Sequence, residues 1–105
     1  MKKVAMFVEN DFSAKGIQKL LVHDSPYFRI INFNFEAGQT LAVHHHDVEG
    51  ELCMTVLSGS GDFLGADGAK TPLQAGDAAV CPIAEPHGFS ARTPVRLLVT
   101  IAPTL

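Results

Sequence analysis

Apolar and polar residues alternate along most of this chain, in short runs that end near glycine, proline or aspartate. The clearest run covers residues 27–36, where Ile31 and Phe33 share one face and Asn32 and Asn34 the other. A period of two among β-branched and aromatic residues is typical of a β-strand. We predict further strands over 40–46, 51–58, 61–64, 77–81, 88–91 and 95–101.

The segment 13–23 is less clear, because Ile17, Leu20 and Leu21 have helical spacing while the surrounding pattern favours an extended chain. We predict a strand there. Turn-forming residues separate the runs and no internal repeat is present, so many short strands follow one another. This organisation predicts an all-β sandwich or barrel.

Length and charge limit the possible functions. A chain of 105 residues forms one domain with a single core. The formal net charge is −3 with only eight lysines and arginines, which provides no basic field for a phosphate backbone, so nucleic acid is not an expected partner. No apolar run approaches the roughly 20 residues that span a bilayer.

The first residues resemble the start of a secretory leader, but Glu9 and Asp11 end the apolar stretch early. We therefore predict a cytoplasmic protein. Cys53 and Cys81 are too few for a disulfide scaffold and stand in apolar strand-like surroundings. We interpret them as small reduced core residues, with a redox or ligand role as the alternative.

Three consecutive histidines are the strongest chemical feature of the chain. Alternate side chains of a strand face the same way, so His44 and His46 can converge while His45 points oppositely. Histidine is the commonest protein ligand of transition metals, and His87 lies far downstream after a proline. The alternative interpretation is a surface run of three histidines and a separate surface His87.

Two spacings match the motifs of the cupin superfamily. The first motif is a glycine, five residues, His-x-His, three or four residues and Glu, which this chain matches with Gly38, His44, His46 and Glu51. The second is a glycine, five residues, Pro-x-Gly, two residues, His, three residues and Asn. Its positions here are Gly76, Pro82, Ala84, His87 and Ala91.

The chain therefore resembles the small single-domain cupins over roughly residues 17–102, although alanine replaces the Pro-x-Gly glycine and the asparagine of the second motif. The resemblance implies an all-β double-stranded β-helix, the jelly-roll or cupin barrel of antiparallel strands. It implies one domain over 1–105, with 1–12 as an N-terminal arm or edge strand. It also implies one divalent transition-metal ion (Fe, Mn, Ni, Zn or Co) held by His44, His46, Glu51 and His87.

The carboxylate position of the first motif has more than one candidate in this chain. The first motif ends with six residues and a glycine, but seven residues separate Glu51 from Gly59. Counting back from Gly59 places Leu52 at the carboxylate position, whereas a bulge near Gly50 would turn Glu51 inward. The alternatives are Asp47, Glu49 or no carboxylate at all.

We expect a small, largely apolar pocket around the ligands, and hence a small organic molecule as substrate or ligand. Its predicted lining is Ile31, Phe33, Met54, Val56 and Phe89.

Hydrogen bonds to the metal-binding rings could come from Asn32, Asn34 and Thr55. The resemblance allows dioxygenase chemistry, Lewis-acid isomerase or hydrolase chemistry, or a non-catalytic ligand-binding barrel, and the sequence shows no obvious general base. The apolar residues 4–8 could pack across an interface between two copies, so we predict a homodimer.

Overall fold

The computed structural model describes residues 1–103, so the last two positions of the predicted domain 1–105 lie outside the described residues. A single helical turn, α1, comes first, nine strands follow in this part of the chain, and a short 3₁₀ turn at Ala66–Gly68 separates β5 from β6. Their bounds are α1 Met6–Glu9, β1 Gln18–Asp24, β2 Arg29–Phe35, β3 Thr40–His44, β4 Glu51–Ser58, β5 Ser60–Leu64, β6 Lys70–Gln74, β7 Ala78–Pro82, β8 His87–Ala91 and β9 Val95–Ala102.

The strands form two antiparallel sheets that pack face to face. The five-stranded sheet has the order β1-β2-β9-β4-β7, and the four-stranded sheet has the order β3-β8-β5-β6. The inward side chains of both sheets meet in one core, where the ring centres of Phe35 and Phe89 are 5.3 Å apart. The prediction of an all-β double-stranded β-helix of antiparallel strands is confirmed.

Most strand predictions agree with the structure to within two residues at each end, and the ambiguous segment 13–23 contains most of β1. Strand β6 was not predicted, because Pro72 lies in the middle of it. Proline cannot donate a hydrogen bond to a ladder and is tolerated on edge strands, and β6 is an edge of its sheet. A periodicity argument cannot recognise an edge before the sheet order is known.

The N-terminal segment packs as a helical turn and a loop, where the sequence suggested an arm or an edge strand. Asn10 donates a 2.8 Å hydrogen bond to Oδ1 of Asn32, and Asn34 donates to the carbonyl oxygen of Asn10 at 3.1 Å. All three side chains are buried. Because Asn32 and Asn34 point to the outer face of β2, they hold the N-terminal segment and do not orient the histidines. No helix among residues 1–103 is long and apolar enough to cross a membrane.

Candidate metal centre

Three histidines gather at one end of the space between the two sheets. His44 is the last residue of β3 and pairs with His87, the first residue of β8. Their ring centres are 4.5 Å apart, and the ring of His46 lies 5.5 Å from that of His44. The third histidine of the run, His45, is exposed and lies 3.5 Å from a carboxylate oxygen of Asp47. The fold therefore brings together three of the four residues that the sequence suggested as metal ligands.

Backbone carbonyls hold two of these rings in one orientation and favour one tautomer of the neutral ring. Nδ1 of His44 donates to the carbonyl oxygen of Ala42 at 2.8 Å, and Nδ1 of His87 donates to that of Glu85 at 2.7 Å. Since a carbonyl oxygen only accepts, each Nδ1 carries a proton, so the neutral form of each ring has its lone pair on Nε2. This arrangement is usual for a metal-binding histidine, whose other nitrogen donates to a carbonyl or carboxylate.

His87 is the buried member of the cluster. Only 4% of its surface is exposed, whereas His44 and His46 are exposed at the mouth of the cavity. Burial lowers the pKa of His87, the neighbouring imidazoles lower it further, and the hydrogen bond to the Glu85 carbonyl opposes them. His87 is therefore held neutral near pH 7, which is the form that binds a metal ion.

A glycine beside His87 allows the two strands to approach closely. A Cβ atom on Gly88 would lie 2.6 Å from the carbonyl oxygen of Leu41 on β3. No larger residue fits at this point without moving one strand. The close contact between β3 and β8 is what places His44 next to His87.

The donor set fits a transition metal, but its side chains are not in a binding arrangement as they stand. No three His, Cys, Asp or Glu side chains within residues 1–103 are placed to hold an ion together. Imidazoles bound to one ion through bonds of about 2.0–2.1 Å have ring centres roughly 5 Å apart, close to the separations seen here. The His46 side chain makes no hydrogen bond in the described part of the chain, so its rotation breaks none.

The structure does not bring Glu51 to the histidines. Along β4 the buried residues are Leu52, Met54 and Val56, so Glu51 lies on the opposite face and is exposed. The pairing of β4 with β9 is regular from Glu51 to Val56 and shifts only beyond Val56, so no bulge within this part of β4 turns Glu51 inward. Leu52 lines the cavity instead. Leu52 is the residue that counting back from Gly59 places at the carboxylate position of the first motif.

The other carboxylates and thiols suggested by the sequence also lie outside the cavity lining. Asp47 and Glu49 are exposed in the loop after β3. Cys53 and Cys81 are free thiols in strands β4 and β7. Burial raises the pKa of the Cys81 thiol, and the nearby Glu85 carboxylate adds to this, so Cys81 remains a protonated core residue.

A cavity of about 370 Å³ adjoins the three histidines. Of the five lining residues predicted, Ile31, Phe33 and Met54 line it, while Val56 and Phe89 are buried in the core. The remaining lining residues are Lys19, Arg29, Leu41, His44, His46, Leu52, Ile83, His87, Val99 and Ile101.

Sequence reasoning did not assign Lys19 and Arg29 to the cavity. The period of two in β2 places Arg29 on the face of Ile31 and Phe33, which is a signal that could have identified it. Lys19 carries no such signal, because it reaches the cavity only through the pairing of β1 with Phe33.

Comparisons with known proteins agree with this architecture. An RmlC-like cupin protein from Desulfovibrio desulfuricans is 43% identical, with 100% of this chain and 99% of that chain covered and a TM-score of 0.95. An uncharacterised conserved protein with a double-stranded β-helix domain from Klebsiella pneumoniae is 24% identical, with 98% and 90% covered and a TM-score of 0.87.

A salicylate 1,2-dioxygenase from Pseudoaminobacter salicylatoxidans (G106A mutant) is 24% identical, with 85% of this chain and 27% of that chain covered and a TM-score of 0.73. This similarity shows a shared fold and nothing about activity. None of the curated proteins matches this chain significantly. The family model described as "Cupin domain" matches residues 32–101, which include the three clustered histidines and the full length of β4. The chain therefore belongs to the cupin domain family.

Proposed function

We propose that His44, His46 and His87 hold one divalent transition-metal ion, and that the adjoining cavity binds a small organic molecule beside it. The observation that supports this most directly is the pair of Nδ1 hydrogen bonds to backbone carbonyls, which leave Nε2 of His44 and His87 as acceptors. Three neutral nitrogen donors suit iron, manganese, nickel, zinc or cobalt. Leu52 takes the place of a protein carboxylate in this site.

The surroundings of the histidines determine what a bound molecule would meet. Eight of the thirteen lining residues are apolar, so the cavity would exclude much of the water around an apolar ligand. An ion bound at the three histidines would supply an open coordination position, suited to oxygen chemistry for iron and to Lewis-acid chemistry for zinc or nickel. The protein itself would orient the ligand through the walls contributed by β2, β4 and β9.

The test is a metal titration of the tag-free protein after chelation, with cobalt(II) absorption and zinc calorimetry as readouts. We expect one ion per chain in the natural protein and loss of binding in His46→Ala. His46 is exposed, so this substitution should not disturb folding. Glu51→Ala is the matched control and should bind metal as the natural protein does. Absence of metal binding, or equal loss in both variants, would contradict the proposal.

A non-catalytic ligand-binding barrel is the second candidate. No Asp, Glu, Ser, Thr or Tyr lines the cavity within residues 1–103, so its proton-exchanging side chains are the three histidines and Lys19. With the histidines bound to the ion, only Lys19 would remain to act as a general acid or base, and this favours binding over acid–base catalysis. Product analysis after incubation of the metal-loaded protein with a bound molecule separates the two, because an enzyme changes the ligand and a binding protein returns it intact.

We also propose that the protein forms a homodimer through its N-terminal turn. Val8 and Phe7 in α1 are 86% and 56% exposed, which leaves the apolar residues 4–8 partly uncovered in a single chain. A second copy would remove this surface from water. Light scattering at micromolar concentration should give the dimer mass, and Val8→Asp should shift it toward the monomer. The cytoplasmic location and the lack of a nucleic-acid partner stay predictions.

A further inference from the structure

The cavity lining includes two cationic side chains and no carboxylate within residues 1–103. Lys19 and Arg29 both line the cavity, and none of its lining residues in the described part of the chain is Asp or Glu. The other lining residues are the three histidines and eight apolar side chains. The charge of this wall is therefore a property of Lys19 and Arg29 alone.

Both cations belong to the same side of the barrel, the hairpin of β1 and β2. Lys19 pairs with Phe33, and Arg29 pairs with Ile101, which in turn pairs with Leu52. Phe33 and Arg29 are four residues apart on β2, which corresponds to roughly 13 Å along a strand. The two positive groups thus flank the apolar wall from separate positions.

Only one of these charges has a balancing partner. Arg29 donates from Nε and Nη2 to the two carboxylate oxygens of Asp24, each at 3.3 Å, and Asp24 is not a lining residue. Lys19 forms no ion pair within residues 1–103, and it is exposed. A ligand in the cavity would therefore meet a net positive wall next to a large apolar surface.

We infer that the ligand of this cavity is an organic anion, a carboxylate with an aromatic or branched apolar body, whose charge pairs with Lys19. The inference deepens the proposed function, on which it rests for the cavity being the binding site. A metal ion held by three neutral histidines adds two further positive charges and no protein carboxylate offsets them. An anionic ligand supplies the missing negative charge, since charges withdrawn from water need a partner.

The experiment uses benzoate and its neutral counterpart benzamide as probes of the chelator-treated protein at pH 8. These molecules share an apolar ring and differ in charge. Calorimetry and amide chemical shifts in NMR spectra report binding without any turnover. We expect benzoate to bind about fivefold more tightly than benzamide, as one partly exposed ion pair would provide.

Three variants assign the preference to Lys19. Lys19→Met keeps the length of the side chain and should weaken benzoate about fivefold, with little effect on benzamide. Arg29→Met should have a smaller effect on benzoate, because Asp24 already balances the charge of Arg29. The double variant should bind both probes within about twofold of each other. Lys70→Met removes an exposed lysine that is not part of the cavity lining and should leave both affinities unchanged.

Equal binding of benzoate and benzamide, no binding of benzoate, or a preference that survives in the double variant would overturn the inference. The same samples loaded with zinc(II) separate this result from the proposed function. If benzoate discrimination is present but zinc does not bind, the metal centre fails and the anion site stands. If zinc binds through His46 but discrimination is absent, the metal centre stands and the anion site fails.

Discussion

Leu52→Glu would place a carboxylate where the structure has an apolar side chain next to the histidines. Leu52 is 3% exposed and lines the cavity, while Glu51 lies on the opposite face of β4. Loss of the buried leucine contacts should reduce the free energy of unfolding of the metal-free protein by about 3 kcal/mol. The new carboxylate should be able to join the three nitrogen donors at the ion.

A fourth, anionic ligand should tighten metal binding by at least about tenfold, or ~1.4 kcal/mol. The destabilisation should therefore be smaller by about that amount in saturating zinc, because binding to the folded state adds to stability. Urea unfolding with and without zinc measures both quantities, and calorimetry measures the affinity directly. Glu51→Leu is the matched control, and we expect it to leave zinc affinity unchanged.

Two results would refute this reasoning. If Glu51→Leu weakened zinc binding tenfold or more, Glu51 would have to reach the ion, against the pairing seen along β4. If Leu52→Glu lost stability equally with and without zinc, the inward position of residue 52 would not be within reach of the metal. The second result would be visible even though Leu52→Glu is less stable, because it rests on the difference between its destabilisation with and without zinc.

Two further predictions concern pH and packing. The pKa of His87 is lowered in the folded state. Below pH about 6.5 the unfolded chain therefore takes up a proton at His87 that the folded chain does not. The free energy of unfolding of the metal-free protein should be highest above that pH and should fall as the pH drops below it. Urea titrations from pH 8 to 5 should show this slope, and His87→Gln should reduce it. Gly88→Ala should lower the free energy of unfolding by about 1–3 kcal/mol, because the added Cβ would overlap the Leu41 carbonyl oxygen. An unchanged urea midpoint would contradict the close contact between β3 and β8.

The positions of the strands could largely be predicted, because the alternation of apolar and polar residues is a local property. Strand β4 was predicted with its observed bounds Glu51–Ser58. The N-terminal segment could not be predicted in this way. Its fold depends on Asn10 reaching the outer face of β2, where Asn32 and Asn34 are distant in sequence. Those asparagines therefore seemed candidates for orienting histidines, whereas backbone carbonyls do so.

Spacing in the sequence identified His44, His46 and His87, because the two cupin motifs place them at fixed intervals from turns. The same spacing left Glu51 and Leu52 as alternatives. A single strand indicates which residues share a face but not which face is inward. The pairing of β4 with both β7 and β9 determines which face of β4 is inward. A shift of this pairing by one residue would exchange the two faces.

The sequence by itself determined the fold class, the family and the histidines of the candidate centre, since these follow from local periodicity and motif spacing. The tertiary structure alone decided that Leu52 faces the cavity and that Glu51 does not. It also decided that Lys19 and Arg29 line the cavity. Both outcomes depend on how separate strands are paired and which sheet covers them, and those contacts join residues far apart in the chain.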